Sequence, residues 1–340
     1  MNLITGGTGL LGSHIIEKLI SRKQPVRVLV RKTSDLTWLK TQPTELVEMI
    51  EGDVTDRASL DKAMKGVTCV YHAAARVGDW GPWAEFVQIT IEGTRNVLDA
   101  AICAGVDRFI HVSSISVYGH PDGEGKVFDE TAPLGFNLHK WSYYSRAKVQ
   151  AEHIIWDAHK NGKIRITVIR PSWLYGPRDR ATMTRLFRMI RSKRVKLLGD
   201  GENRLNVVYA GNVAEAAITA AGKDSAVGEA YNCSNDGVMT QKQYYNMLAD
   251  ALGEPPITRV VPYALAKKIA LLLECIWHLF NIKSPPMFTR YSVWLMGRRC
   301  FFSEAKARRE LDWQPTVPYE TGIPMTVRWF QDLERAEASK

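Results

Sequence analysis

Thr5-Gly6-Gly7-Thr8-Gly9-Leu10-Leu11-Gly12 follows the short apolar run Asn2–Thr5 and opens the periodic segment Leu10–Ser21. Glycine permits the tight turn, lets the backbone approach a pyrophosphate, and allows the helix to pack closely on the sheet. A helix starting there turns unpaired N–H groups and the positive end of its dipole toward an anion. The pattern Gly-x-Gly-x-x-Gly has this meaning only between a strand and a helix. Here Gly7-x-Gly9-x-x-Gly12 has both neighbours, with a second β-branched run, Val26–Val30, in step behind it. The stretch predicts a dinucleotide site, with Gly6, Gly7, Gly9, Leu10, Leu11 and Gly12 as cofactor-binding residues.

Outward from this turn, the runs Leu46–Ile50, Thr68–His72, Arg108–Ser113 and Ile164–Arg170 read as further strands. Ala58–Lys65, Trp83–Ala104 and Tyr143–Lys160 read as helices between them. Nearly continuous apolar strands alternating with helices predict an α/β fold, a Rossmann-type doubly wound parallel sheet covered on both faces. After Pro171 the pattern loosens, and helices are expected near 181–193, 212–222, 240–252, 263–280 and 303–311. Residues 1–170 are therefore expected to form the NAD(P)-binding Rossmann domain. Residues 171–340 are expected to form a smaller, mostly helical substrate lobe, interleaved with the first rather than independent.

The end of the second strand faces the 2′ position of a bound dinucleotide. An acidic residue there would hold a free ribose hydroxyl, but this chain has Arg31-Lys32-Thr33-Ser34. Cations and hydroxyls suit a 2′-phosphate, so Arg31, Lys32 and Ser34 point to NADP, with NAD as the alternative because Asp35 follows closely. Asp53, followed by Val54, ends the third strand's loop, where a carboxylate can accept from an adenine amine; a plain turn aspartate is the competing reading.

Tyr144 and Lys148 are four residues apart and share one helix face. An ammonium beside a phenol is expected to lower its pKa, making Tyr144 a proton donor to, or acceptor from, a reacting oxygen. Tyr143 has Ala147 four residues on and lacks that partner. A hydroxyl at the carboxyl end of a strand would complete the set. Phe109–Ser114 ends in two serines; Ser114 is assigned to the reacting oxygen, and Ser113 to the strand end. The predicted catalytic residues are thus Ser114, Tyr144 and Lys148.

The bulk properties narrow the class. The chain has 340 residues, is 45% hydrophobic and carries a formal charge of +9. Its five cysteines (Cys69, Cys103, Cys233, Cys275, Cys300) are scattered and never form CxxC, so free thiols are expected and no metal site. The glycine turn sits too near residue 1 to leave room for a secretory leader, so a cytoplasmic protein is expected. Eight Lys/Arg between Arg178 and Lys196 read as one face of an amphipathic helix, and no motif supports nucleic-acid binding.

The chain resembles the extended short-chain dehydrogenase/reductase superfamily along essentially its whole length. The resemblance is carried by the glycine turn, His72-Ala73-Ala74-Ala75, Glu92-Gly93-Thr94, Val112–Gly119, Tyr144-x-x-x-Lys148 and Arg170–Arg178. It implies that the backbone of His72, Ala73 and Ala74 lies beside the cofactor, that Pro171 and Ser172 border the nicotinamide carboxamide, and that the protein is a homodimer. The second half is most similar to the 3β-hydroxysteroid and sterol-4α-carboxylate 3-dehydrogenase group, on Gly199–Val213, Val261–Ala266, Phe302–Lys306 and Trp313–Pro315. Two positions depart from the superfamily pattern. Leu205-Asn206 stands where nucleotide-sugar enzymes carry Arg-Asp, and Thr90 stands where an asparagine is usual.

Ala264–Phe280 is the most hydrophobic segment, with Lys267, Leu271, Glu274 and His278 on one stripe. It is too short and too charged to span a bilayer. Three readings stay open: a helix packed in the substrate lobe, a lid on an apolar pocket, or peripheral membrane contact through 263–280. Trp80, Trp83, Trp173 and Trp294 are candidates for the pocket wall. The expected enzyme interconverts a secondary alcohol and a ketone on an apolar sterol-like or 3-oxoacyl small molecule. The alternatives are a nucleotide-sugar epimerase or dehydratase, and a non-catalytic NADP-binding scaffold.

Overall fold

A computed structural model describes residues 1–180 and 182–338. Seven parallel strands form the central sheet: β1 (Asn2–Thr5), β2 (Val26–Val30), β3 (Val47–Glu51), β4 (Cys69–His72), β5 (Arg108–Val112), β6 (Arg165–Pro171) and β7 (Ala230–Cys233). Their spatial order is β3-β2-β1-β4-β5-β6-β7. The order reverses between β1 and β4, so a crevice opens beyond the carboxyl ends of these two paired strands, at Thr5 and His72. Open α/β sheets bind their ligands in such a crevice.

The strands form where the sequence is continuously apolar because both faces of the sheet are covered. On one face, Ile15, Ile16 and Leu19 of helix Leu10–Ser21 pack with Val26, Val28 and Ile110. The same cluster includes Val213, Ala214 and Ala217 from helix Ala210–Gly222, whose small side chains permit close approach. On the other face, Phe109, Ile166 and Val168 meet Val97, Leu98 and Ile155 from helices Gly93–Cys103 and Tyr143–Lys160. The second half of the chain thus adds both a strand and a covering helix to the first.

Beyond the sheet lies a helical layer with its own core, in which Phe187, Tyr244, Leu248, Ile323 and Phe330 are buried. Its helices are Thr182–Arg191, Gln241–Ala251 and Tyr319–Ala338. Three parallel strand pairs stitch distant segments together, including Trp173–Tyr175 with Val207–Tyr209 and Val127–Phe128 with Phe301–Phe302. Among the elements that go beyond the sequence expectation are β7, helix Arg290–Gly297, and helix Tyr319–Ala338, which continues through Pro324. Of the helix expected at 181–193, residue 181 lies outside the described residues, and the helix itself is Thr182–Arg191.

Candidate active site

The glycine turn is shaped for an anion. Gly6 has φ +73°, and a Cβ there would sit 2.7 Å from the Ala74 nitrogen. A Cβ on Gly12 would sit 2.2 Å from the Gly6 carbonyl oxygen. Any larger residue would force the turn away from the strand ends. Gly9 begins the helix with no side-chain cap and no acidic residue in the first turn, which leaves the positive end of the dipole uncompensated. This cradle fits a dinucleotide pyrophosphate.

A cavity of about 1270 Å³ runs from this turn to the ends of β5 and β6 and on into the helical layer. Of the residues assigned from sequence, Gly6, Gly9, Leu10, Leu11, Gly12, Ala73, Ser114, Tyr144, Lys148, Pro171 and Ser172 line it. Ser114 and Tyr144 both line it, with the Ser114 hydroxyl near the Tyr144 phenol. Burial pushes the Tyr144 phenol above its ordinary pKa, and a hydrogen bond from the Ser114 hydroxyl opposes that shift. Ser114 also accepts from the Ser116 amide at 3.2 Å, which fixes its rotamer at the start of a short 3₁₀ turn.

The expected lowering of the Tyr144 pKa by Lys148 is not found in this structure. The Lys148 ammonium donates to the Val112 carbonyl at 2.8 Å, turned toward the strand, and is not among the groups that set the Tyr144 pKa. Burial lowers the Lys148 pKa to about 8, against the opposing pull of Glu152. The expected depression of the tyrosine is therefore replaced by an elevation. In this state desolvation outweighs an ammonium that is held elsewhere.

Beneath this set is a buried ionic cluster. Glu152 accepts from the Ser113 hydroxyl at 2.5 Å, from the Trp156 indole at 3.0 Å and from the Arg170 Nε at 3.1 Å. Arg170 also donates to the Tyr118 hydroxyl at 2.7 Å, which donates to Asn232 at 2.8 Å. Although burial works against the Arg170 charge, Glu152 and Tyr118 hold its pKa above the ordinary arginine value. The cluster ties helix Tyr143–Lys160 to β5, β6 and β7. Ser113 serves this scaffold through its side chain.

The remaining assigned residues lie outside the cavity lining. Gly7 faces the core, where a Cβ would collide with Val28 and Ile16, so its role is helix packing. The Val54 side chain is also buried in the core. His72 is buried with Thr5 on one ring nitrogen (2.7 Å) and Thr94 on the other (2.9 Å); burial lowers its pKa to about 3. It supports the strand end as a neutral side chain rather than facing a ligand. Ala74 closes over Gly6, and its amide points back to Thr5 at 3.4 Å. Asp53 accepts from the Thr55 amide at 2.9 Å, forming a turn. Arg31, Lys32 and Ser34 are on the exposed loop after β2, where the Arg31 amide donates to Ser34 at 3.0 Å and Lys32 approaches Glu51 at 3.5 Å. Asp35 pairs with Arg180.

Several cavity residues carry no sequence signal. Tyr291 stands 6.1 Å from the Tyr144 ring, edge-on. Trp80, Trp83 and Trp173 line the wall as anticipated, but Trp294 is buried behind it, donating to Pro121 O at 2.7 Å, and Trp277 takes a place on the wall instead. Thr90 accepts from the Arg76 amide at 2.9 Å and so pins the loop that forms one side of the mouth. The Trp80, His278 and Trp141 rings pack in sequence, at 4.7 and 4.3 Å, across the join between that loop and helix Tyr263–Leu279. No single motif announces this seam, because its members are 60 to 200 residues apart in order-of-magnitude terms.

The model of the NAD dependent epimerase/dehydratase family matches residues 2–234. The chain belongs to that family, the extended short-chain dehydrogenase/reductases. Membership brings with it the NAD(P) class of cofactor, which the glycine cradle fits. The chain is 30% identical to a 2-alkyl-3-oxoalkanoate reductase of Stenotrophomonas maltophilia (strain K279a), covering 94% of this chain and 96% of that protein. It is 28% identical to the decarboxylating sterol-4-alpha-carboxylate 3-dehydrogenase of Mus musculus, over 98% of this chain and 91% of the relative. Among solved structures, that of gox2253 superposes with a TM-score of 0.81 at 28% identity, covering 98% of this chain and 99% of the other. These relatives include oxidoreductases acting on ketone and sterol substrates by their names. Among the described residues no helix is long and apolar enough to cross a membrane, and no cluster of side chains is arranged to hold a metal ion.

Proposed function

We propose that the protein is an NADP-dependent oxidoreductase that interconverts a ketone and a secondary alcohol on an apolar, 3-oxoacyl or sterol-like substrate. The observation that carries this reading is that Ser114 and Tyr144 share a cavity whose lining includes Trp80, Trp83, Trp173, Trp277, Ile282 and Leu295. These side chains offer a carbon skeleton apolar surface. The names of the relatives, a 3-oxoalkanoate reductase and a sterol dehydrogenase, support the same substrate class. For the cofactor, Gly6–Gly12 would hold the pyrophosphate and Arg31 the 2′-phosphate, for which a guanidinium is well matched.

A bound nicotinamide would supply or take up the hydride. Ser114 donates a hydrogen bond to the substrate oxygen and fixes its position. Tyr144, a phenol whose pKa burial pushes above its ordinary value, gives its proton to that oxygen in the reducing direction. Lys148 holds the end of β5 through the Val112 carbonyl.

Cofactor fluorescence with a panel of 3-oxoacyl chains, 3-oxosteroids and UDP-sugars tests the reading. NADPH consumption on an apolar ketone, faster than with NADH, is the expected result. Epimerisation of a UDP-sugar without net cofactor turnover would overturn it. Tyr144→Phe is expected to lower kcat by about 10²–10⁴-fold while NADPH still binds; unchanged turnover in that variant removes Tyr144 from the chemistry.

A further inference from the structure

Helix Tyr263–Leu279 is turned opposite to the usual arrangement. Only Ala266, Ala270 and Glu274 are buried. Of the fourteen large apolar side chains exposed among the described residues, seven lie between Leu265 and Met287. Leu272, Leu279, Phe280 and Met287 are each at least 60% exposed. Leu265, Ile269, Leu272 and Leu279 follow helical spacing and form one continuous outward face. A single apolar residue on a surface is ordinary, but a contiguous patch of this kind marks a contact surface.

Charge identifies the occupant. The only acid on the helix, Glu274, is buried and bound to the Arg290 side chain and amide, both at 2.7 Å. Lys268 and Lys283 are exposed at the two ends of the segment. The arginine-rich helix Thr182–Arg191 borders the patch, with Arg185 donating to the Met287 carbonyl at 2.8 Å. The outward surface is therefore apolar with a cationic rim. A two-fold dimer through this face would bring the rim cations toward their own copies. Anionic headgroups would neutralise them, while the leucines and Phe280 enter the acyl boundary.

We propose that this face docks on an anionic lipid bilayer, with the helix lying in the headgroup layer. The helix carries the cavity mouth with it, because Trp277, His278, Asn281 and Ile282 line both the end of the helical segment and the cavity. Docking therefore sets the mouth against the lipid and gives an apolar substrate a route that avoids water. This last step rests on the apolar-substrate reading above; the docking itself does not.

The test is co-sedimentation of the full chain with vesicles of phosphatidylcholine alone or mixed with phosphatidylglycerol, without substrate. Binding to the mixed vesicles only, weakened by salt, is expected. Leu272→Glu and Lys268→Glu should each lower partitioning roughly tenfold. Both positions are exposed and outside the cavity, so the far-ultraviolet circular dichroism and melting temperature should be preserved. Absence of sedimentation with either vesicle, or equal sedimentation of the variants, overturns the proposal. Concentration-dependent dimerisation that Leu272→Glu abolishes, without vesicle binding, assigns the face to a second copy and also overturns it. Because no substrate is present, failure of the ketone reading leaves this result unaffected.

Discussion

Two helices border the cavity, and each buries one glutamate held by an arginine. In Tyr143–Lys160 the pair is Glu152 with Arg170; in Tyr263–Leu279 it is Glu274 with Arg290. The rest of the two helices differs. The first sets Ala147, Val149, Ala151 and Ile155 into the protein and keeps its charged residues outside, apart from Lys148 and Glu152. The second anchors itself through Glu274 and two alanines and leaves its leucines outside. A buried ion pair fixes an orientation that apolar burial alone would not choose. In helix Tyr143–Lys160 the two agree; in the outer helix, Tyr263–Leu279, the ion pair decides.

Removing the anchor of helix Tyr143–Lys160 should break this comparison most sharply. Glu152→Ala leaves Arg170 buried without its carboxylate and also frees Ser113 and Trp156. A loss of about 3–5 kcal/mol in unfolding free energy is expected, read from denaturant midpoints at constant m-value. A loss under 1 kcal/mol would mean that the cluster relaxes without it.

Lys148 gives the next effect, visible through pH. Its pKa is about 8 in the fold against 10.5 as reference. Between these values the unfolded chain binds more protons at this site, so unfolding free energy should rise with pH through that window. Below about 8 the cost of burying the ammonium is fully present. Relative to Lys148→Met, the wild type should gain on the order of 3 kcal/mol from about pH 8 to 10.5. Parallel curves for the two proteins would show that the lysine is not desolvated.

The features legible from sequence are local ones. The glycine turn lies between two adjacent elements, and Tyr144 and Lys148 share a helix face by their spacing alone. That periodicity also locates helix 263–280, but it cannot orient it. A rule that sends leucines inward has no access to Arg290, sixteen residues away, or to its grip on Glu274. The same limit hides the elevated Tyr144 pKa, because the Val112 carbonyl that takes Lys148 is 36 residues distant. Strand β7 is four residues long, and only its pairing with β6 distinguishes it from a loop. Tyr319–Ala338 contains Pro324, which ordinarily argues against a helix interior. In each case a long-range contact outweighs the local signal.

Two substitutions in the outer helix sharpen the comparison. Glu274→Ala should cost about 1–3 kcal/mol, less than Glu152→Ala, because Arg290 is partly exposed and water can replace the carboxylate. Leu272→Ser should cost least. A buried leucine truncated in a core costs about 2–5 kcal/mol, but Leu272 has 60% of its surface in solvent already. Its replacement is expected to change unfolding free energy by no more than about 0.5 kcal/mol in the absence of lipid. Vesicles that bind the native state should then stabilise the wild type more than the Leu272→Ser variant, since ligand affinity adds to stability only where the folded face binds. A core-sized loss in lipid-free buffer would instead place Leu272 in a packed interface. The outer helix would then obey the same burial rule as helix Tyr143–Lys160, and the contrast between them would vanish.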